Sequence, residues 1–297
     1  MQPSRALSRR QFLELAASAV SVAALTGACS ATRRADVGFA PPIALFDKVL
    51  RQAGLSLEDS AAFVGEMGLD GVDCAVRPND RIEPARVRED LPRYAELLRQ
   101  QRCKVLLLTT AILNPDAPHA RTVLETARAL GVRCYRLAFA RWRSDAPVAT
   151  QLAELKAVLR DVVALNRELG LCAVLQNHSP GEPGGYLGGD LNHMFELVRE
   201  FPPAQLGVAF DLGHALLVHG DAWPAHFERL KPHLRVAYIK DAHRQRRFVP
   251  FGEGEFGQTD FFTRLKQMRY AAPLSLHIEF DWARDGRRDR ATLAAAV

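Results

Sequence analysis

Four short segments hold the residues with chemistry in them. They are Gln176-Asn177-His178, Asp211-Leu212-Gly213-His214, Tyr238-Ile239-Lys240-Asp241 and His277-Ile278-Glu279. Carboxylate oxygen and imidazole nitrogen bind divalent cations, and both groups move protons near neutral pH. Asp211, Glu279, His178 and His214 are candidates for either task, and Gln176 offers a neutral oxygen ligand. Arg77, Lys240 and Arg244 add positive charge suited to a substrate oxygen or carboxylate, with a surface salt bridge as the alternative for both arginines. His219, His226 and His233 fall in or beside helical stretches and read as surface or hydrogen-bonded residues. Asp241 reads as a turn cap or as a partner of Lys240.

Repetition is what positions these segments. Short apolar runs predict strands over 43–46, 71–76, 104–109, 134–139, 172–176, 206–210, 236–239 and 274–280. Amphipathic stretches such as 57–67, 84–101, 120–130, 148–169 and 260–268 predict helices between them. Gly68, Gly131 and Gly170 stand where helices stop before the next strand. The spacing is about 30 residues per strand–helix unit, the natural βα repeat. Eight such units predict a single-domain (β/α)8 TIM barrel. An open doubly wound sheet would show a glycine-rich turn after the first strand, and Phe46-Asp47-Lys48-Val49 stands there instead. Active sites of such barrels lie at the C-terminal strand ends, where the four segments end the fifth to eighth strands. A carboxylate at the end of an apolar strand needs a partner to offset its desolvation, which favours function for Asp211 and Glu279. Alternation puts Gln176 and His178 on one face, and His277 one layer beneath Glu279.

Phe210-Asp211-Leu212-Gly213-His214-Ala215 resembles the FDxGHA signature of the xylose-isomerase-like TIM-barrel superfamily, the sugar phosphate isomerase/epimerase-like proteins. Gln176-Asn177-His178 resembles its Glu-Asn-His strand end, Tyr238-Ile239-Lys240-Asp241 its His-x-Lys-Asp segment, and His277-Ile278-Glu279 its closing strand. Phe251-Gly252-Glu253-Gly254-Glu255 and Gly68-Leu69-Asp70-Gly71-Val72-Asp73 resemble two further segments, so the likeness covers nearly all of 43–280. It implies a divalent metal (manganese, magnesium, cobalt or zinc) held by Glu, Asp, His and Glu, and a small-molecule carbohydrate as substrate. Asp211 and Glu279 take ligand positions by motif, while His214 and Arg244 take positions near substrate. Two ligand positions depart from the pattern: Gln176 replaces a glutamate and Tyr238 a histidine. A carboxamide carries no charge and is no base, and a phenol with a pKa near 10 is a poor ligand. His178 or His277 could substitute, and weaker metal binding is expected.

The implied activity is that of a sugar isomerase or epimerase: a base removes the proton α to a carbonyl while a metal stabilises the enediolate. Glu279 is the expected base. His178 or His214 would serve as acid or substrate contact, and Tyr238 as acid or hydroxyl contact. Arg77, Lys240 and Arg244 would bind substrate oxygens. Three alternatives stand beside this: a one-base keto-sugar lyase, a metal-depleted pseudoenzyme or periplasmic sugar-binding protein, and a metal-dependent endonuclease.

Composition trims the choices. With 48% hydrophobic and 25% charged residues the chain is neither collagenous nor disordered. The formal charge of +5 falls to +3 once residues 1–28, with three arginines and one glutamate, are set aside. The remaining basicity is scattered apart from Arg244, Arg246 and Arg247, so no nucleic-acid partner is expected. Residues 1–28 read as a twin-arginine signal: Arg9-Arg10-Gln11-Phe12-Leu13 leads into an apolar, Ala-rich run and a small-residue exit. Residues 29–42 then form a tether and 43–297 the barrel. The expected partner is the twin-arginine export machinery, and the expected location periplasmic or lipid-anchored. Cys29 could accept the lipid, although Leu25 precedes it by four positions. Cys74, Cys103, Cys134 and Cys172 contain no CxxC pair and read as small buried hydrophobes.

Overall fold

The structure is a computed structural model that describes residues 39–179, 185–243 and 247–297. Its strands are β1 Ile43–Phe46, β2 Gly71–Val76, β3 Lys104–Thr110, β4 Cys134–Arg136, β5 Cys172–Gln176, β6 Leu206–Asp211 and β7 Leu234–Ile239. A small antiparallel pair follows, β8 Asp241–His243 and β9 Arg247–Val249, and then β10 Leu274–Leu276. The eight parallel strands close in the order β1-β10-β7-β6-β5-β4-β3-β2, the (β/α)8 barrel expected from the repeat. The helices are α1 Lys48–Gln52, α2 Leu57–Glu66, α3 Val87–Gln100, α4 Ala120–Ala129 and α5 Val148–Leu169. They continue as α6 Leu191–Val198, α7 Leu212–His219, α8 Trp223–Leu230, α9 Phe261–Gln267 and α10 Arg290–Ala294.

Helical periodicity explains how the outer layer seats itself. α3 buries Val87, Leu91, Tyr94 and Leu98, a single stripe at helical spacing, against the strands. Ser56 and Asp190 cap α2 and α6 by accepting backbone N–H bonds, and Gly170 ends α5 in the left-handed region at φ 67°. Gly71 has a different reason to be glycine: a Cβ there would lie 1.9 Å from the Lys104 carbonyl of β3.

Inside the barrel, Ala44, Leu107, Val174, Ala209, Val236 and Tyr238 form their own apolar cluster, separate from the core between strands and helices. A polar knot shares the interior, where Thr109 Oγ1 (2.8 Å) and Ser275 Oγ (3.1 Å) donate to Asp73. β4 and β10 are shorter than the runs 134–139 and 274–280. One further bond each, Leu137 N to Val174 O and His277 N to Ile239 O at 3.0 Å, carries them past the ladder before the chain turns into the mouth. The four described cysteines are free thiols, and among the described residues no helix is long and apolar enough to cross a membrane. The twin-arginine segment, Cys29, tether residues up to 38, and Arg244 lie outside the described residues.

Asp241 is a loop clasp. Its buried carboxylate accepts from the backbone N–H groups of Ala242 (3.0 Å), Gly252 (2.8 Å), Gly254 (3.1 Å) and Phe256 (3.0 Å). Gly254 must be glycine for this, since a Cβ would fall 2.2 Å from Asp241 Oδ1. Removing the acceptor leaves several amides without partners, each costing about 1–3 kcal/mol when buried. Asp241→Ala is therefore expected to lower unfolding free energy by about 3–5 kcal/mol, measurable by denaturant titration.

Candidate functional site

The site begins where the β5–β6 ladder ends. Asn177 takes over from the backbone: its Oδ1 accepts from Asp211 N (2.8 Å) and its Nδ2 donates to Asp211 O (2.9 Å). Asp211 is thereby fixed as the last residue of β6 and the N-cap of α7. Its Oδ1 accepts from His214 N at 3.2 Å, which accounts for the Asp-x-x-His spacing. Its Oδ2 faces the barrel axis and accepts from Gln176 Nε2 at 2.9 Å.

Lys240 completes the centre. Its ammonium lies 3.0 Å from Asp211 Oδ2 and 3.6 Å from Glu279 Oε1, and donates to His214 Nε2 at 2.9 Å. The Lys240 side chain is only 2% exposed. Its stem passes Gly213, where a Cβ would meet Lys240 Cβ at 3.0 Å and the Phe248 ring at 3.3 Å. Two unit charges at this separation attract by roughly 5 kcal/mol at an effective dielectric of about 20, a gain set against the desolvation of both.

The ammonium also fixes the histidine tautomers. Burial first, and the Lys240 charge next, hold the His214 pKa well below the usual histidine value, so the ring is neutral. Because Lys240 can only donate, His214 Nε2 accepts, and its Nδ1–H donates to Ser179 Oγ at 2.9 Å. His178 donates Nδ1–H to the Ser179 carbonyl at 2.8 Å, and burial lowers its pKa, which leaves Nε2 as its basic nitrogen. The two rings stand 3.8 Å apart, and His178 packs edge-on against Phe139 and Tyr186. Burial would raise the Glu279 carboxyl, but the neighbouring positive charge, Lys240 first, outweighs it and holds the group below the usual glutamate value. Glu279 is therefore ionised, with 28% of its side chain open to solvent.

The other candidates fall around this centre. His277 lies beneath Glu279, its Nδ1 4.0 Å from Glu279 Oε1, and its ring stacks on Phe46 at 4.6 Å and tilts against Tyr238 at 4.2 Å. Tyr238 is wholly buried among the apolar interior residues, and burial pushes its phenol well above the ordinary value. Arg77, at the end of β2, donates to Asp80 Oδ2 at 2.7 Å and lies over the Phe46 ring. Arg136 is an addition that the sequence reading passed over. It points into the barrel from β4, is 4% exposed, donates to the Leu137 carbonyl at 3.0 Å and stacks over Phe139. A cation at an inward position of the apolar run Cys134-Tyr135-Arg136-Leu137 was the available signal.

These residues do not fit a divalent metal. A cation needs several donor lone pairs directed at one free point. Here Asp211 Oδ2 and His214 Nε2 already face the Lys240 ammonium, and Gln176 turns its amide N–H groups toward Asp211. Tyr238 is held below, in the barrel. Among the described residues no three His, Cys, Asp or Glu side chains form a group that could hold a metal ion.

The buried neutral histidines tie stability to pH. Below about pH 6.5 the unfolded chain takes up protons that His178, His214 and His277 resist in the fold, so stability falls as pH drops through that value. Asp47, raised to about 7 by burial, works in the opposite sense. Between about pH 7.5 and 5.5 the melting temperature is expected to decline. His214→Gln should flatten that slope, because its amide oxygen still accepts from Lys240 and does not titrate.

A family model described as xylose isomerase-like TIM barrel matches residues 61–295. No curated protein sequence matches the chain. Solved structures do. A xylose isomerase domain protein from Planctomyces limnophilus is 19% identical, with 86% of this chain and 94% of that one covered at a TM-score of 0.60. The probable 3-DHS dehydratase AsbF from Bacillus anthracis is 16% identical, with 86% and 97% covered at 0.65. The 3-keto-D-glucoside 4-epimerase YcjR from E. coli is 14% identical, with 80% and 92% covered at 0.59. At these identities the structural likeness speaks for the fold, and the family match speaks for descent: this chain belongs to the xylose isomerase-like TIM barrel family.

Proposed function

We propose that the chain is a sugar isomerase or epimerase-like enzyme that moves a proton α to the carbonyl of a keto-sugar, with Glu279 as the base. One observation carries this: an ionised carboxylate, partly open to solvent, stands at the mouth of the barrel 3.6 Å from a buried ammonium. In the step, the α C–H bond breaks and its proton goes to Glu279. The electron pair forms the C=C bond of an enediolate, and the carbonyl π pair moves onto oxygen. His178, neutral with Nε2 basic, suits proton exchange with the neighbouring substrate hydroxyl. Phe139, Tyr186 and Phe248 wall the site with rings against which the apolar face of a sugar can lie.

Gln176 favours a second outcome on the same site. Its carboxamide is hydrogen-bonded to Asp211 and is no base, so proton return to the opposite face lacks a carboxylate there. One-base chemistry remains: isomerisation on one face, or β-elimination of a hydroxyl as water by a keto-sugar lyase. A catalyst that enolises but does not eliminate is the isomerase; one that releases water is the lyase; binding without exchange is the sugar-binding protein. The export signal over 1–28 would put this activity in the periplasm, delivered by the twin-arginine machinery.

The measurement is NMR of a panel of keto-sugars and keto-sugar acids in D2O. Deuterium is expected to enter α to the carbonyl, and Glu279→Gln to slow entry on the order of 100-fold or more. Absence of exchange with every member of the panel in the wild-type chain would overturn the enzyme reading.

A further inference from the structure

We infer that the Lys240 ammonium is the resident cation of this site. The family segment already carries a lysine here; with Gln176 and Tyr238 standing in two of the metal-ligand positions, that lysine is left to supply the positive charge that the resemblance gives to a divalent metal and to stabilise the oxyanion of the substrate. The role in catalysis rests on the proton-transfer reading above; the replacement of the metal does not.

Position comes first. The two carboxylates that the motifs assign to a metal, Asp211 and Glu279, come from different strand ends and share one near neighbour, Lys240 Nζ, at 3.0 and 3.6 Å. The histidine of the same motif, His214, spends its Nε2 lone pair on that ammonium at 2.9 Å. Burial at 2% exposure removes the competing water that would otherwise take such a charge.

Charge gives a second, independent line. With Gln176 neutral, the side chains in mutual contact are two carboxylates and one ammonium, net charge −1, and Lys48 adds further positive field from outside that contact. With the glutamate and the histidine that would offset it replaced by Gln176 and Tyr238, a dication added beside the ammonium would turn that to +1 and set two under-compensated cations against each other in a water-poor site. Both departures from the family pattern agree with this. Gln176 withdraws a carboxylate that an ammonium could not balance and donates an N–H to Asp211 instead. Tyr238 withdraws an imidazole and fills the layer beneath with an aromatic ring against His277.

Geometry then connects cation to base. An ammonium has three N–H donors. Among the described residues only His214 Nε2 and Asp211 Oδ2 stand within hydrogen-bond distance of it, and Glu279 lies just beyond. A carbonyl oxygen entering between Lys240 and Glu279 would accept an N–H bond while its α C–H faces the carboxylate. As the C–H bond breaks, the proton goes to Glu279 and the negative charge goes to the oxygen held by Lys240. No electron acceptor or further reactant is required.

The full chain, purified after cytoplasmic folding, decides this by its metal content and by Mn2+ titration followed by electron paramagnetic resonance. Wild type is expected to hold well under one equivalent of manganese, cobalt or zinc, to show no saturable Mn2+ site, and to keep its melting temperature in a chelator. The double variant Lys240→Met, Gln176→Glu removes the ammonium and adds a carboxylate. It is expected to bind Mn2+ at least tenfold more tightly than wild type. Should that variant not fold, Lys240→Arg retains the charge and is expected to stay metal-free. One tightly held metal per wild-type chain, or melting and activity lost to the chelator and restored by metal, overturns the inference. So does Mn2+ binding in wild type as tight as in the double variant. For the catalytic part, Lys240→Arg should lower kcat in the D2O exchange assay more than it raises KM; an unchanged kcat overturns it. If the wild-type chain exchanges no substrate at all, the enzyme reading fails while the metal measurements still stand.

Discussion

The buried ion pair between Asp211 and Lys240, 3.0 Å apart, is the constraint to which the rest of the site answers. Burying either charge alone would cost several kcal/mol of desolvation, which a partner and hydrogen bonds offset. The surrounding residues read as consequences. Asn177 clamps the Asp211 backbone from both sides, so the carboxylate cannot swing away. Gly213 opens space for the Lys240 stem at the first turn of α7. Asp241, one residue on, holds the following loop through four backbone amides and so anchors the strand end from which Lys240 projects. One carboxylate thus does three things, capping a helix, receiving the Gln176 amide and holding an ammonium, and no part of the arrangement can change without the others.

The barrel and the end of it that carries chemistry were legible because both depend on short-range pattern. Doubly buried strands give apolar runs, helices give stripes, and a polar residue after an apolar run marks a strand end. Asp211, Gln176, His214 and Glu279 were found this way, and the structure brings them together. Lys240 was legible as a residue but not as a partner. Sequence neighbours invite pairing, yet adjacent residues of a strand point to opposite faces. On β7 the inward positions are Val236, Tyr238 and then Lys240, so Asp241 faces out to its loop and Lys240 faces in to Asp211. Arg136 was passed over for a related reason. The run 134–139 reads as one strand, and period-two alternation alone does not say which face turns inward; in three dimensions Arg136 lies on the inward face over the Phe139 ring.

The interior is layered, and the layers set how strongly the ion pair acts. Small and branched residues fill the bottom: Ala44, Val174, Ala209 and Val236. Above them the His277 ring stacks on Phe46 and tilts against Tyr238. Lys240 and Glu279 stand over that floor. His277 spans the two levels, its Nδ1 4.0 Å from Glu279 Oε1 and its Nε2 3.6 Å from Asp73 Oδ2, while Thr109 and Ser275 donate to the Asp73 carboxylate below. A charge held on a packed, water-poor floor is preorganised, and a preorganised charge stabilises developing charge without moving.

An ammonium in this position selects differently from a metal. A metal ion with open positions takes two neighbouring oxygens of a sugar at once and holds them by coordination. An ammonium on a packed stem offers N–H donors in fixed directions, and two of its neighbours already claim part of them. It can meet one substrate oxygen well and a second only poorly. Under the proton-transfer reading, recognition of the rest of a substrate would fall to the walls: ring faces at Phe139, Tyr186 and Phe248, the Nε2 of His178, and the Arg77 cation. Under that reading, the balance between a one-point electrophile and a ring-lined rim would set the specificity of this barrel.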